Sequence, residues 1–492
     1  MSRLVKDRIR NNKLFKKITS AEEAAMFIKD GMTVATSGFT PSGYPKAVPL
    51  ALAERVKNTG ANIGITLITG ASVGEELDGE LSKCGVIKKR LPYQTQKDCR
   101  DRINLGDIHF VDMHLSHLPQ YIKYGFLGHI DIAIIEAVAI TEEGYIVPST
   151  SVGNTPTIVE KAEKVIIEIN TSQPLDLEGM HDIYIPQSPP NRLPIPITKA
   201  SDRIGTNYVP IDIDKIVCIV ITDIKDNVRP LAEVNDVSKK MAENLIGFLE
   251  DEIKFGRIPK ELLPLQSGVG SVANAVLKGL LNSKFDNIQF YTEVIQDSVI
   301  DLIDADKVEI ASGTSITPSK EGLVRFYNNI DRYKSKIILR PQEISNNPEV
   351  IRRLGIIALN TAIEVDIYGN VNSTNIMGSR MMNGIGGSGD FTRNAYISVF
   401  TTQSIARNGD ISTVVPMVAH HDHTEHDVDV IITEQGIADL RGLSPKEKAE
   451  VIIKNCAHPD YKEALKDYYK RAKKIKYNHT PVILDEALSW HK

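Results

Sequence analysis

The chain has 492 residues, 58 Lys and Arg against 63 Asp and Glu (net charge −5), with 42% hydrophobic and 25% charged residues. This is the composition of a soluble globular protein long enough for two large α/β units. The mild acidity argues against a nucleic-acid partner, and no apolar run nears the ~18 residues that cross a bilayer.

The four cysteines, Cys84, Cys99, Cys218 and Cys456, lie far apart with no CxxC pair. They form no zinc knuckle, redox pair or disulfide framework, so a reducing, cytoplasmic compartment is expected. Residues 1–17 are strongly basic, but no apolar h-region follows and Asp7, Glu22 and Glu23 come early. A surface helix is therefore expected there rather than a targeting segment.

Along the chain, helical and strand patterns alternate, which predicts α/β architecture with mainly parallel sheets. Ser20-Ala-Glu-Glu23 predicts a capping box, and Gly31 a stop for the helix it opens. The strand at 32–36 runs into a glycine loop at 37–45, and a helix is expected over 47–56. The strand at 63–68 runs into 69–74, and the strand at 130–138 runs on to Gly144. Strands ending in small-residue loops place those loops at the carboxyl edge of a sheet, where α/β proteins bind ligands.

Residues 223–230 carry Lys225, Asp226, Asn227 and Arg229, as a linker should, and the pattern then restarts. Two domains are expected, 1–224 and 225–492. The second opens with an amphipathic helix over 237–255, followed by a glycine loop at 268–270 and a helix at 273–281. A strand at 288–292, a helix at 295–303 and a strand at 308–312 come next. Residues 130–146 and 362–371 share a pattern of strand, acidic turn, glycine and return strand, each followed by a glycine loop. The two halves resemble versions of one plan.

Gly268-Val-Gly270 before a helix suits either a tight turn or a nest of backbone amides that would hold an anion or a developing oxyanion. Gly384, Gly386 and Gly389 formally match GxGxxG, but no β-branched strand precedes them, so an amide-lined loop is preferred to a dinucleotide site. Glu293 follows an apolar strand. It is either a carboxylate at the ligand edge or an acid favouring a helix N-terminus, and Glu434 carries the same ambiguity after the strand at 429–432. The run His420, His421, His423 and His426 has metal-ligating residue types, yet no HExxH occurs, and hydrogen-bonded loop histidines between strands at 412–417 and 428–432 are expected instead of a metal. No convincing nucleophile elbow stands out. Carboxylates and backbone amides, without metal or redox cofactor, are the chemistry that remains.

Three blocks together are more specific: LQSGVGSVANAV at 265–276, YTEVIQD at 291–297 and NGIGGSGDF at 383–391. With TSGFT at 36–40, LITGAS at 67–72, ILRPQEISN at 338–346, DIYGNVNST at 366–374 and TEQGIADLRGLS at 433–444, the chain resembles the acetyl-CoA hydrolase/transferase family of class I CoA-transferases. The resemblance implies two similar open α/β domains and a homodimer. It further implies coenzyme A as substrate rather than a resident cofactor, with acyl-CoA and carboxylates as small-molecule partners and neither nucleic acid nor membrane. Glu293 would be the nucleophile, and the backbone N–H groups of Val269 and Gly387 the oxyanion hole. Gly268, Gly270, Gly386, Asn346, Ser72 and Glu434 would line the site. The linker of such enzymes often carries Arg where this chain has Asn227, and Arg229 is near enough to substitute. The activity implied is CoA exchange between succinyl-CoA and acetate through a glutamyl-CoA thioester. The alternatives are acetyl-CoA hydrolysis, or transfer with propionate or butyrate as the acyl group.

Overall fold

In the computed structural model, residues 3–228, 230, 233–268 and 270–491 are described. The first sheet is built from β1 (Ile18–Thr19), β2 (Thr33–Thr36), β3 (Ile65–Ile68), β4 (Ile87–Leu91), β5 (His109–Phe110), β6 (Ile130–Ala137), β7 (Ala162–Asn170) and β8 (Ile216–Thr222). Its order is β1-β8-β7-β6-β2-β3-β4-β5, with every pair parallel. Strands covered on both faces need apolar residues throughout, and β6 (IDIAIIEA) and β7 (AEKVIIEIN) are buried almost end to end.

The second sheet comprises β9 (Leu265–Ser267), β10 (Ile288–Tyr291), β11 (Val308–Gly313), β12 (Ile337–Leu339), β13 (Ile357–Thr361), β14 (Ile397–Thr401), β15 (Val430–Thr433) and β16 (Gly436–Asp439). Its order is β12-β11-β10-β9-β13-β14-β15-β16, parallel except for the closing hairpin of β15 and β16.

Laid side by side, the two orders are the same. From β5 through β2 and β6 to β8, the first sheet follows the path that the second takes from β12 through β9 and β13 to β15. In each, the strand order reverses once, between β2 and β6 and between β9 and β13. A crevice opens at the carboxyl ends at such a point. The repeated acidic-turn pattern corresponds to matching antiparallel hairpins after β6 (Ala139 opposite Val147) and after β13 (Val365 opposite Val371).

The helices follow from local signals. α1 (Ala47–Thr59) buries Val48, Ala51 and Leu52 and ends at Gly60, whose φ of 65° only glycine adopts without strain. Glu168 on β7 accepts from the Lys46, Ala47 and Val48 amides at 2.7–3.1 Å, supplying the acceptor that the first turn lacks. α2 (Asp236–Lys254) opens with a capping box of Asn235 and Ser238 and packs Met241, Leu245, Phe248 and Leu249 toward α3 (Ser271–Leu281). Among the described residues no helix is long and apolar enough to cross a membrane.

Two N-terminal expectations are corrected. Residues 3–17 are not one surface helix but a short α-helix at Arg3–Arg8, exposed at Lys6 and Asp7, and a 3₁₀ helix at Asn12–Lys17, both with an inner side drawn into the fold. Arg8 is buried and donates to the Val138, Asn170 and Gln173 carbonyls at 2.7–3.1 Å, and Ile9 and Leu14 are in the core. At Ser20 the hydroxyl caps the Glu23 amide at 3.2 Å, but the Glu23 carboxylate takes the Thr19 hydroxyl instead of closing a capping box. The helix there ends at Ala25, although Gly31 does adopt a left-handed φ of 79°. In the second half the expected helix at 295–303 begins later, at Asp297, because Val294 and Ile295 pair with Ser315 and Ile316.

The halves are joined by polar contacts as well as by one continuous apolar core. Asp182, in the excursion between β7 and β8, meets Arg340 just after β12, and both are buried. Arg340 also donates to Ser312 Oγ at 2.7 Å, while Asp182 accepts from the Ile204 and Gly205 amides. Lys46 is fully buried, 2.6 Å from Glu136 and 2.7 Å from Asp226, which fastens the linker to the first half. Removing one member of a buried pair leaves the other charge unpaired. Arg340→Met should therefore destabilise the protein by about 3–5 kcal/mol, seen as a lower urea midpoint than Arg332→Met, whose guanidinium is half exposed. Equal midpoints for the two variants would refute it.

Candidate active site

A cavity of about 430 Å³ opens between the carboxyl ends of the two sheets. The first half contributes Phe39 and Thr40 after β2, Ala71 after β3, and Tyr93 and Thr95 after β4. The second contributes Gly268 after β9, Glu293 after β10, residues 360–363 at the end of β13, and the glycine loop 384–388. Two switch points thus face one space.

Glu293 leaves the end of β10, and its carbonyl accepts from the Thr314 and Ser315 amides at 2.9 and 3.1 Å, which fixes the backbone. Its carboxylate Oε1 accepts from Asn346 Nδ2 at 2.8 Å. Asn346 ends the short helix α4 (Gln342–Ser345) and is fully buried. The same Nδ2 lies 3.3 Å from Asp390 Oδ2. Burial, reinforced by the nearby Asp390 charge and opposed by the Asn346 bond, pushes the Glu293 carboxyl up to about 7. Burial likewise pushes Asp390 up to about 7.

Gly387, at the start of the short helix α5 (Ser388–Thr392), presses directly on this pair. A Cβ there would lie 2.0 Å from Glu293 Oε1 and 2.2 Å from Asn346 Nδ2. Among the described residues no acceptor takes the Gly387 N–H. Gly386 faces the cavity with a φ of 60°, allowing the loop to turn there. An amide donor beside a carboxylate, in a space partly closed to water, suits attack on an acyl carbon.

The glycine loop is held from the first half at three points. Asn104 exchanges hydrogen bonds with the Met381 backbone at 2.9 Å, and Asp112 accepts from the Ile385 amide at 2.9 Å. Ser116 gives both its amide (3.0 Å) and its hydroxyl (2.6 Å) to Asp390. None of these residues belongs to a recognisable motif, and nothing local in the sequence marks them.

Gly268, Glu293, Gly386 and Gly387 line the cavity, and Asn346 touches Glu293 from behind. Gly270 stands at the start of α3, outside the lining. Ser72 is buried with its hydroxyl on the Ser37 carbonyl at 3.2 Å, while Ala71 faces the cavity. Glu434 lies outside the lining too; its carboxylate accepts from the Ser404 amide at 2.9 Å and from the Ser404 hydroxyl, bonds that hold it below the usual carboxylate range despite burial. Val269 and Arg229 lie outside the described residues.

In the histidine run, His423 is buried against Phe400 with Nε2 3.1 Å from Ser388 Oγ, and His420 is beside Asp422. The one group of three potential ligands found among the described residues is elsewhere, at exposed His129 and Glu163 with Asp131.

The acetyl-CoA hydrolase/transferase N-terminal domain model matches residues 2–221, and the C-terminal domain model matches residues 322–469. The chain belongs to the acetyl-CoA hydrolase/transferase family. It is 60% identical to a succinyl-CoA:acetate CoA-transferase of Clostridium kluyveri, over 98% of this chain and 90% of that one. It is 49% identical to a propanoyl-CoA:succinate CoA transferase of Escherichia coli, over 92% and 93%. In fold it is similar to RipA from Yersinia pestis, with a TM-score of 0.72 over 96% of this chain and 99% of that one, at 21% identity.

Gly387→Ala should leave the fold intact, because the φ of −96° suits alanine. It should nonetheless displace the Glu293 carboxylate and lower kcat by about 10²-fold. Unchanged circular dichroism with depressed turnover is the expected result; normal turnover would show that Gly387 does not crowd the working carboxylate.

Proposed function

We propose that the protein moves coenzyme A between an acyl-CoA and a free carboxylate, with succinyl-CoA and acetate as the pair, through a glutamyl-CoA thioester on Glu293. The observation that carries this reading is the Glu293 carboxylate at a cavity wall, backed by Asn346 and touched by the Gly387 backbone. The name of the Clostridium kluyveri relative supports the substrate pair; that of the Escherichia coli relative makes propanoyl-CoA and succinate the next pair to test.

A Glu293 oxygen attacks the thioester carbon, and the resulting oxyanion takes the Gly387 N–H. The C–S bond breaks, leaving an acyl–glutamyl anhydride and CoA thiolate. The thiolate then attacks the glutamyl carbonyl, the C–O bond breaks, and the first carboxylate departs. A second carboxylate reverses the sequence on the glutamyl-CoA thioester. No net proton, electron or phosphate is consumed, so the thioester's energy passes from one acid to the other.

By the family resemblance, Val269 supplies a second oxyanion amide, and Arg229 stands in for the Arg that such enzymes often carry where this chain has Asn227. The same resemblance supports a homodimer and a division at 224/225. Four unpaired cysteines fit a cytoplasmic location.

With acetyl-CoA and no acceptor, wild-type protein should gain CoA on the peptide bearing Glu293. Borohydride should then reduce that thioester to an alcohol and inactivate the enzyme, while borohydride alone does nothing. An unmodified peptide, or near-normal transfer by Glu293→Ala, would overturn the assignment. Acyl-CoA loss at full rate without any carboxylate would instead mark a hydrolase.

The pH dependence has a definite sign. Glu293 must be ionised to attack, so kcat/KM should fall ~tenfold per pH unit below about 7 and level off above it. The folded protein holds this proton more tightly than the unfolded chain, so stability falls as pH rises toward 7. Glu293→Gln should therefore raise the unfolding midpoint at about pH 8 and leave it nearly unchanged at about pH 4. Equal gains at both would deny the burial penalty.

A further inference from the structure

We infer that Asp390 is a positioning residue for the nucleophile: it locks the Asn346 amide against Glu293, and Ser116 from the opposite half of the chain locks Asp390. This rests on the reading of Glu293 as the nucleophile. Three observations carry it. First, the two hydrogens of Asn346 Nδ2 have two acceptors, Glu293 Oε1 at 2.8 Å and Asp390 Oδ2 at 3.3 Å. Its Oδ1 accepts the Ser345 hydroxyl at 2.8 Å. A flipped amide would turn its carbonyl oxygen toward both carboxylates and lose both of these hydrogen bonds, whereas the Ser345 hydroxyl can serve either orientation, so the two carboxylates together fix the amide.

Second, Asp390 is 4% exposed and, among the described residues, pairs with no cation. Its other bonds come from the Ser116 amide at 3.0 Å and hydroxyl at 2.6 Å. An asparagine could accept from Ser116 without burying a charge, whereas only a carboxylate offers acceptors alone to the Asn346 amide.

Third, Ser116 belongs to the half of the chain that forms the opposite wall of the cavity. Together with Asn104 on Met381 and Asp112 on Ile385, it fixes the glycine loop across the cleft. A shift of one half against the other would be felt at Asp390, then at Asn346, then at Glu293. The cleft's geometry and the nucleophile's alignment are one linked chain of hydrogen bonds.

The titratable groups packed around it are Glu293, the His114 ring lying against Gly389, and Asp112 and His423 on the glycine loop. Behind Asn346 stands Glu343, paired with Lys123 at 2.6 Å and Arg192 at 3.3 Å. The charge that bears on Glu293 is that of Asp390 rather than of any of these neighbours.

The test is single-turnover formation of the Glu293 adduct with acetyl-CoA in full-length protein, followed by mass spectrometry across a pH series. Asp390→Asn should slow adduct formation by about 10–10²-fold while acyl-CoA KM stays within about twofold, since substrate contacts are untouched. The acid limb should move to lower pH, because an anion that favours the protonated nucleophile is gone. Ser116→Ala, which leaves Asp390 in place, should slow the step less and in the same direction. The double variant should be no slower than Asp390→Asn alone, as members of one chain are not additive. A folded Asp390→Asn protein with wild-type rate and an unmoved limb overturns the inference, as do independent, multiplying effects of the two substitutions. Should Asp390→Asn not fold, a wild-type rate in Ser116→Ala overturns it. Wild-type protein that forms no adduct on Glu293 fails at the earlier step and removes the nucleophile reading itself.

Discussion

A carboxylate attacks a thioester well only when it has shed most of its water and is still able to ionise. The two demands pull against each other, because the burial that removes water also favours the proton. On the proposed reading of Glu293 as the nucleophile, the balance is struck by a single neutral donor, the Asn346 amide, at 2.8 Å from the carboxylate. A lysine or arginine in its place would have held the carboxyl ionised at the expense of its reactivity. Much of the surrounding architecture serves that compromise: β10 and the Thr314 and Ser315 amides fix the Glu293 backbone, and a side-chain-free residue, Gly387, closes over the pair.

What the sequence reveals is what is local. A run of apolar residues that stops at Thr-Glu places an acid at the carboxyl edge of a parallel strand, and a run of glycines marks a loop too close to its neighbours for side chains. Both were legible, as were a restart of the strand–helix pattern near residue 224 and the twin hairpins. The surroundings of Glu434 are not local. β15 turns at once into β16, so this acid meets Ser404 instead of continuing into an open loop. Ser72, placed at the site by the family resemblance, lies in the wall behind it: side chains alternate along a strand, so Ala71 faces the cavity and Ser72 points to Ser37. Tyr93, Asn104, Asp112 and Ser116 were out of reach altogether, since only the opposition of two sheets brings them to residues nearly three hundred positions away.

The interior is unusually rich in charge for a protein of ordinary composition. Lys46 with Glu136 and Asp226, Arg340 with Asp182, Arg90 with Asp78, and Asp390 with its serine are all buried. Buried pairs are weak contributors to net stability compared with apolar packing of the same volume. Their places are more telling than their number. Two of them, at Asp226 and at Asp182, tie the linker or the second half to the first, where direction and register count for more than adhesion. Apolar contacts tolerate sliding; a lysine between two carboxylates does not.

One feature of the first sheet bears on how the chain must be made. β1 lies at its edge but pairs with β8, Ile18 opposite Ile219. During synthesis β1 therefore has no strand to join until some two hundred further residues have left the ribosome. Asp182 waits longer still for Arg340. Contacts between such distant positions form late and slowly, and until they do, an unpaired edge strand and a buried-to-be acid stand in solvent. The first half, although it has a sheet of its own, completes its interior only when the second is present.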